Sequence, residues 1–303
     1  MSLIAIALIV ISAFMHAGWN LLSKSQRPSA AFFLVASLAG ALLLSPALFL
    51  YRDTVAHCIP AQVWMLLFVT GFFMALYYIS LAGAYRSGDM SIAYPLARSS
   101  PVIVVSIVAL ILGRSDQVTI QCVAGIILVV GGCFLIPLQR FSDLRLRNYL
   151  NATCGLALLA AFGTSGYSIV DDESLRLLRT DTQVTIGNTQ VTLMYACLEA
   201  LTASFWLALF VALRRNERLN LRQVLRVNPG HAVLVGIIIH LTYAMVLASL
   251  AFVKNVSYVV GFRQLSIPLG TALGILVLKE PPHRPKLIGV AIMFIGLILV
   301  ATG

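Results

Sequence analysis

Charge is scarce in this sequence, and its scarcity excludes a soluble globular protein. Of 303 residues only 11% are charged and 60% are apolar, and the mean hydropathy is +0.94. A soluble chain of this length cannot bury that much apolar surface. Apolar runs of about 20 residues recur along the chain, and each can cross a bilayer core of about 30 Å as a helix. The sequence predicts an all-α membrane protein.

Motifs for metal, redox and nucleotide chemistry are missing as well. The five cysteines are scattered, without a C-x-x-C pair, so we expect no metal site and no cofactor. There is no H-E-x-x-H, no G-x-S-x-G and no G-x-x-x-x-G-K-[ST]. An intramembrane enzyme is therefore the less favoured alternative, and ATP-driven transport would need a partner subunit.

Basic residues exceed acidic ones, 21 to 11, but their positions argue against nucleic-acid binding. In the arrangement of spans given below, the odd-numbered loops hold 14 lysines and arginines and the even-numbered loops hold 5. This asymmetry is typical of the positive-inside rule. It predicts that the odd loops face the cytoplasm and that both termini lie outside.

Ten spans fit the apolar pattern, and the connections between them are short. Loops 139–151, 171–187 and 214–229 are the longest, and we interpret them as solvated connections. The N-terminus lacks the basic region and cleavage site of a secretory signal, so we expect the first span to remain in the protein. The predicted spans are 2–22, 30–50, 61–83, 91–112, 118–138, 152–170, 188–213, 230–252, 256–278 and 286–302.

The chain is similar to itself. Shifted by 166 positions, FFMALYYISLAGAYRSGDMSIAYPLARSS (72–100) aligns without a gap on IIHLTYAMVLASLAFVKNVSYVVGFRQLS (238–266). VAGIILVVGG (123–132) aligns on IGVAIMFIGL (288–297), and HAGWN (16–20) on TSGYS (164–168). The matches keep the same order in both halves, which indicates an internal repeat.

Five spans per repeat is an odd number, so the second half enters the membrane from the opposite side. We predict two inverted five-helix repeats, 1–138 and 152–303, joined by the connecting loop 139–151. Inverted repeats are typical of secondary transporters, in which the substrate site lies near the midplane between the halves. Because the halves are fused, the chain has no need to dimerise, and a monomer is a possible state.

These features resemble a known family. The HAGWN turn of span 1, the paired units SPVIVVSIVALILGRSDQVTIQCVAGIILVVGG and SIPLGTALGILVLKEPPHRPKLIGVAIMFIGLIL, and the count of ten spans are similar to EamA-type members of the drug/metabolite transporter superfamily. The resemblance implies a cavity lined mainly by the first, third and fourth helices and their pseudo-equivalents. It also implies that the last helix of each repeat packs the halves together.

Four glycines fit that packing role because small residues let two helix backbones approach closely. They are Gly125, Gly132, Gly289 and Gly296. Contact within their own half is the alternative. One feature departs from the small four-span relatives, which carry an acid in the first helix: this chain has His16 there and Thr164 at the equivalent position. Cation–proton exchange by that mechanism is therefore in doubt.

Ionisable side chains at bilayer depth are costly and are functional hypotheses by default. Arg98 and Arg263 each lie eight residues into a predicted span, roughly 11 Å from its end. Two guanidiniums in one cavity would favour an anionic or zwitterionic substrate. The alternative is a structural charge pair, for which Glu199 in span 7 is the candidate acid.

Aromatic and polar side chains near the same depth complete the predicted substrate site. Tyrosines near helix ends can instead be interfacial, but Tyr77 and Tyr243 share the repeat register and lie deeper. The predicted substrate contacts besides the two arginines are Gln264, Tyr77, Tyr78, Tyr243, Asn20, Trp19, Tyr167, Ser168 and Ser99.

Two histidines could carry a coupled proton, since histidine titrates near neutrality. His16 shares a helix face with Asn20, and His240 lies in span 8. The alternative for both is a structural hydrogen bond to a neighbouring helix. Three prolines, Pro95, Pro101 and Pro268, are candidate hinges, with static kinks as the alternative.

The sequence thus predicts a secondary transporter in a lipid bilayer, with a bacterial cytoplasmic membrane as the expected location. Its cargo is a small polar metabolite such as an amino acid, an organic acid or a phosphonate-like compound. A lipid-linked sugar flippase of the same fold is the alternative.

Overall fold

The structure is a computed structural model that describes residues 3–101, 104, 119–144, 149–227, 229–250 and 264–302. Within these ranges it consists of helices and connections, without a strand. A short 3-10 helix lies at Phe141–Asp143. The α-helices are α1 Leu3–Ser25, α2 Ala30–Leu50, α3 Arg52–His57, α4 Ala61–Ser87, α5 Met90–Ser99, α6 Ile120–Leu135, α7 Ala152–Thr180, α8 Asn188–Leu213, α9 Arg215–Val227, α10 Pro229–Leu250, α11 Ser266–Leu276 and α12 Arg284–Thr302.

A described helix stands at each of the ten predicted spans. Six helices, namely α1, α2, α4, α7, α8 and α10, are long and apolar enough to cross a membrane, and α6 and α11 are shorter apolar helices. The protein is an all-helical, multi-span membrane protein. The large apolar side chains exposed on these helices are the surface that lipid would cover.

One prediction about the loops is wrong. Segment 171–187 is not a solvated connection over its whole length, because α7 continues to Thr180. Leu175 packs against the apolar core and Leu178 is 1% exposed, so the apolar side of α7 continues past Asp171 at helical spacing. The connection 214–229 contains the polar helix α9, most of whose described residues are exposed.

The chain divides into two compact units that each draw on both sequence halves. Unit 1 comprises Met1–Arg27, Ser80–Ala161 and Leu241–Gly303, and unit 2 comprises Pro28–Ile79 and Phe162–His240. The division into repeats 1–138 and 152–303 concerns internal symmetry rather than compactness, and it stays a prediction.

In unit 1, α6 packs against α12 through four glycines. A Cβ on Gly125 would lie 2.6 Å from the carbonyl oxygen of Gly296, and a Cβ on Gly132 would lie 2.6 Å from that of Gly289. Both distances are far below van der Waals contact, so only glycine permits this approach of the two backbones. These helices are the last of the two predicted repeats.

In unit 2, α2 packs along α8. The Ser204 hydroxyl donates to the Ser37 hydroxyl (3.0 Å), which donates to the carbonyl of Ala200 (3.1 Å). Hydrogen bonds between helices satisfy polar groups that lipid cannot. A buried apolar cluster joins α4, α7 and α8 and consists of Val63, Leu67, Leu178, Val191, Tyr195 and Leu198.

The helix α9 is hydrogen-bonded to the start of α2. Glu217 is 8% exposed, and its Oε2 accepts a hydrogen bond from the backbone N–H of Ala31 (3.1 Å). Ser29 caps the same helix by accepting from the N–H of Phe32 (3.1 Å). A carboxylate at a helix N-terminus is favourable because it satisfies otherwise unpaired N–H groups. Two odd-numbered loops therefore meet here, as the predicted topology requires.

Candidate functional site

Unit 1 holds a group of polar side chains at α5 and the start of α11, which we call the α5–α11 cluster: the buried Tyr94 and Ser266 and the half-buried Arg98 and Gln264. Each has a buried polar atom without a hydrogen-bond partner, namely Tyr94 Oη, Arg98 Nε, Gln264 Oε1 and Ser266 Oγ. Buried polar groups are nearly always paired in proteins. The Tyr94 and Ser266 hydroxyls lie near each other, so the unpaired Arg98 Nε and Gln264 Oε1 are the atoms that make this cluster a candidate binding site.

The helices of this cluster are held close by a small residue. A Cβ added to Gly270 of α11 would fall on the ring of Tyr94, so the tyrosine lies flat against the α11 backbone. The Tyr94 hydroxyl lies near Ser266 and Arg98. Among the residues that the structure describes, no acidic side chain forms an ion pair with Arg98.

Helix α1 brings the histidine and tryptophan of the HAGWN turn to the same unit. The imidazole of His16 lies 6.1 Å from the ring of Tyr94, measured between centroids. His16 is half-buried, and its Nδ1 accepts from the Trp19 indole N–H (3.4 Å). His16 is therefore placed beside the α5–α11 cluster, while Trp19 is 2% exposed and packs in the core.

Asn20 differs from its prediction as a substrate contact. Its side chain is fully buried, its amide N–H donates to the His16 carbonyl (2.7 Å), and its Oδ1 accepts from the Tyr85 hydroxyl (2.7 Å). Both ends of the amide are already used between α1 and α4. This geometry favours a structural role for Asn20.

Ser99 and the prolines surround the end of α5. The Ser99 hydroxyl is buried and donates to the carbonyl of Pro95 (2.6 Å), whose N–H is missing from the helix. Pro101 follows the end of α5, and Pro268 lies in the first turn of α11, where the N–H has no intrahelical partner in any case. Their predicted hinge roles stay predictions.

Unit 2 holds the predicted tyrosines. Tyr78 is buried and stacks on Phe33 at 4.9 Å between centroids, and Tyr77 contacts the rings of Tyr78 (5.1 Å) and Tyr167 (6.1 Å). Ser168 is exposed on α7. The structure thus brings Tyr77, Tyr78 and Tyr167 together within this unit.

The remaining predicted residues divide between the two units. His240 lies in unit 2, where its ring packs on Gly40 and its Nδ1 lies 2.8 Å from the Gly236 carbonyl. Tyr243 is half-buried on α10 in unit 1. Arg263 lies outside the described residues. The proton-coupling roles of His16 and His240 stay predictions.

Glu199 was the candidate acid for a structural charge pair with an arginine. In the part of the chain that the structure describes, no ion pair joins it to a cation. Instead it lies in unit 2 within electrostatic range of a second carboxylate, Asp171. Asp171 accepts hydrogen bonds from Thr70 (2.6 Å) and Tyr195 (2.7 Å).

A group of charged residues in unit 1, which we call the turn cluster, was missed by the sequence analysis. Both oxygens of Glu280 accept from the first N–H groups of α5, those of Met90 (2.6 Å) and Ser91 (2.7 Å). Lys286 is fully buried and lies 3.5 Å from Asp89, and its Nζ donates to the Ser91 hydroxyl (2.8 Å).

Lys24 completes the turn cluster, which consists of Lys24, Asp89, Glu280 and Lys286. Its ammonium donates to the carbonyls of Tyr85 (2.5 Å) and Gly88 at the end of α4. A cation there satisfies carbonyls that the helix leaves unpaired. The cluster joins the predicted loops 1, 3 and 9, which are all odd-numbered.

Comparison with known proteins shows a similarity to a known family. The model of the EamA-like transporter family matches residues 3–138, which is just under half of the chain. This part of the chain is therefore similar to EamA-like transporters. The similarity agrees with the resemblance to the drug/metabolite transporter superfamily found in the sequence.

The fold of this chain is similar to that of a solved structure. A protein described only as "Crystal structure of protein" aligns with a TM-score of 0.54 at 18% identity, over 98% of this chain and 96% of that one. At this identity the similarity concerns the fold alone. No curated protein shows significant sequence similarity to the chain.

The residues that sequence reasoning missed carry a signal in retrospect. Asp171 opens the run DDE, which suggests a loop, yet Leu175 and Leu178 follow at helical spacing. Glu280 and Lys286 flank the PP dipeptide between two spans, and nothing in that stretch indicates that they reach the start of α5. Such long-range caps depend on tertiary contacts.

Proposed function

We propose that this protein is a secondary transporter of the EamA-like type, and that it moves a small anionic or zwitterionic metabolite by alternating access. The observation that carries the proposal is Arg98. Its Nε is buried without a hydrogen-bond partner, and no acid among the described residues pairs with it.

A half-buried guanidinium at membrane depth without an acidic partner among the described residues is costly, and a bound carboxylate, phosphate or phosphonate would reduce that cost. The guanidinium offers a planar fork to such a group. Tyr94 Oη, Gln264 Oε1 and Ser266 Oγ add one acceptor and two hydroxyl groups within the same cluster. The acceptor of Gln264 would suit the ammonium group of an amino acid.

The proposal has three further parts. The two sequence halves are inverted repeats, the odd-numbered loops face the cytoplasm, and the protein lies in a bacterial inner membrane. The turn cluster supports the loop assignment, because residues of loops 1, 3 and 9 hydrogen-bond to one another. Protons or ions would drive the transport, since the sequence carries no nucleotide-binding motif.

A thermal-shift screen of the purified protein tests the charge of the cargo. Amino acids, organic acids, phosphonates and cationic drugs are compared for stabilisation, which reports binding to the folded state. Anionic or zwitterionic compounds should stabilise the protein. Stabilisation by cationic drugs alone contradicts the proposal, and stabilisation by lipid-linked sugars alone would favour a flippase.

Matched variants locate the binding. Arg98→Ala should lower the affinity about 30-fold, since a charge-assisted hydrogen-bonding partner contributes about 2 kcal/mol. Arg98→Lys keeps the positive charge but loses the planar pair of guanidinium donors, so its affinity should lie between those of the unaltered protein and Arg98→Ala. Arg222→Ala removes an exposed arginine on α9 and serves as the control.

A further inference from the structure

Two acidic side chains lie at the same depth in unit 2, one on α7 and one on α8. Asp171 stands nine residues before the end of α7, and Glu199 stands eleven residues after the start of α8. At 1.5 Å per residue each is roughly 13 to 17 Å from the helix end on the side of loop 171–187. Both therefore lie well inside helices that are long and apolar enough to cross a membrane, where acids are costly.

Asp171 is held in place by two hydroxyl donors. The Thr70 hydroxyl of α4 donates to its Oδ1 at 2.6 Å, and the Tyr195 hydroxyl of α8 donates to the same atom at 2.7 Å. Two donors on one carboxylate oxygen favour the charged form of the acid. Of the two acids, Asp171 is thus the one whose negative charge is stabilised by hydrogen bonds.

Glu199, in contrast, lacks a donor to one of its carboxylate oxygens among the described residues. It lies one helical turn beyond Tyr195 on the same face of α8, and its Oε1 is buried without a hydrogen-bond partner. The two acids interact electrostatically, and the buried Tyr78 of α4 also lies within range of Glu199.

A second unpartnered group lies on the α7 side. Thr164 is seven residues before Asp171, hence on the same face of α7. It is 7% exposed, and its Oγ1 has no hydrogen-bond partner. Unpaired polar atoms thus stand on both helices that carry the acids.

Two arginines of α7 near the acids interact with other side chains. Arg176 is paired with Glu173 (2.5 Å), and Arg179 donates to the Thr192 hydroxyl (2.9 Å). Among the residues that the structure describes, no lysine, arginine or histidine forms an ion pair with either acid. The other titratable groups of the neighbouring helices are the exposed Asp172, His240 on α10 and the hydroxyls of Tyr77, Tyr78, Tyr167 and Tyr195.

Asp171 and Glu199 are neighbouring half-buried carboxylates, and no cation among the described residues pairs with either, so one shared proton is favoured over two charges. We propose that Asp171 and Glu199 form a proton-binding site, in which Glu199 takes up and releases the proton that drives transport. The proton binds to the unpaired oxygen of Glu199 and leaves to water when the site opens to the opposite side. The driving role rests on the proposed transport function, whereas proton binding does not.

This site places proton coupling away from His16 and His240. His16 accepts from Trp19, and His240 contacts a backbone carbonyl of its own helix. In contrast, Glu199 has a buried atom that no described group satisfies. The acid pair thus offers the stronger structural basis for proton coupling.

Infrared difference spectroscopy tests proton binding without any substrate. The full-length protein in lipid is titrated between about pH 5 and about pH 9, and the carbonyl stretch of protonated carboxylic acid is followed. A band that persists near neutral pH should be lost in Glu199→Gln. Asp171→Asn should shift its midpoint, because the neighbouring charge is gone. Glu173→Gln is the control, since Glu173 is paired with Arg176 outside the site.

Transport provides the second readout. In proteoliposomes, a pH gradient should accelerate uptake of the anionic or zwitterionic compound that stabilises the protein best, and Glu199→Gln should abolish this acceleration. His16→Gln should keep it. If the band is absent from the unaltered protein, or persists in Glu199→Gln, the proton site is overturned even if transport is intact.

The two proposals can fail separately. A band that depends on Glu199, in a protein that transports none of the compounds, leaves the proton site standing and contradicts the proposed function. Stabilisation by sodium that Glu199→Gln removes, without a carboxylic acid band, would replace the proton by a sodium ion and overturn the inference. Folding of each variant is checked by its thermal unfolding.

Discussion

Glu280 caps the first turn of α5, because its Oε2 accepts a hydrogen bond from the backbone N–H of Ser91 at 2.7 Å. Its Oε1 accepts a second hydrogen bond from the backbone N–H of Met90 at 2.6 Å. The acid comes from the connection between α11 and α12, far away in the sequence. It therefore ties the α4–α5 turn to the α11–α12 connection with two charge-assisted bonds. Lys286 and Asp89 add an ion pair at the same place.

Replacing Glu280 by glutamine should weaken this tie. The amide keeps one acceptor and loses the charge, so we expect the protein to lose about 1 to 2 kcal/mol of stability. The measurement is thermal unfolding in detergent. Glu173→Gln, on the exposed part of α7, is the control and should leave the midpoint within about one degree. If Glu280→Gln unfolds at the same midpoint as the unaltered protein, the cap does not stabilise the fold.

The glycines of α6 offer a matched pair. A Cβ on Gly132 would lie 2.6 Å from the carbonyl oxygen of Gly289, whereas a Cβ on Gly131 would meet nothing within 4 Å. Gly132→Ala should therefore cost roughly 2 kcal/mol or more by forcing α6 and α12 apart. Gly131→Ala should be neutral or stabilise by up to about 1 kcal/mol, because alanine favours the helix. Equal unfolding midpoints for the two variants would contradict the packing.

Asn20 distinguishes a structural role from a substrate contact. Asn20→Ala removes the acceptor of the buried Tyr85 hydroxyl, so the unfolding midpoint should fall by the equivalent of about 1 to 3 kcal/mol. The additional stabilisation caused by a bound anionic ligand should persist. A variant with normal stability that no longer binds the ligand would restore the original prediction for Asn20.

Membrane orientation can be tested with single cysteines. Thr182→Cys lies in predicted loop 6 and Arg222→Cys in predicted loop 7, and both positions are exposed. With Cys58 replaced by serine, the remaining cysteines lie within helices. A membrane-impermeant maleimide should label residue 182 in intact cells and residue 222 only after permeabilisation. The reverse pattern would overturn the positive-inside assignment.

The long apolar helices were predicted well because each contains a continuous apolar run, whereas the helices α3 and α9 lack such a run and were not predicted. The glycines at the α6–α12 contact were predicted from the repeat and lie where two backbones meet. Asp171 was misread because charge suggests a loop when only neighbouring residues are considered. Its partners Thr70 and Tyr195 come from two other helices, so no local pattern could reveal that a helix buries it.

The charged residues of the predicted site show the same limit. Arg98 was predicted from its depth in span 4, and the structure adds that its Nε has no partner. Glu199 was the candidate acid for a structural charge pair; the structure places it near the carboxylate of Asp171, and pairing with Arg263, which lies outside the described residues, stays a prediction. Which helices face each other decides such pairs, and this depends on packing that one sequence does not encode locally.

Uptake by proteoliposomes tests the central claim most directly, with Arg98 as the variable. The unaltered protein should exchange the best stabilising anionic or zwitterionic compound, Arg98→Ala should reduce the rate at low concentration about 30-fold, and Arg222→Ala should match the unaltered protein. Arg98→Lys should recover part of the rate. Unchanged uptake by Arg98→Ala, or transport of cations alone, would contradict the account.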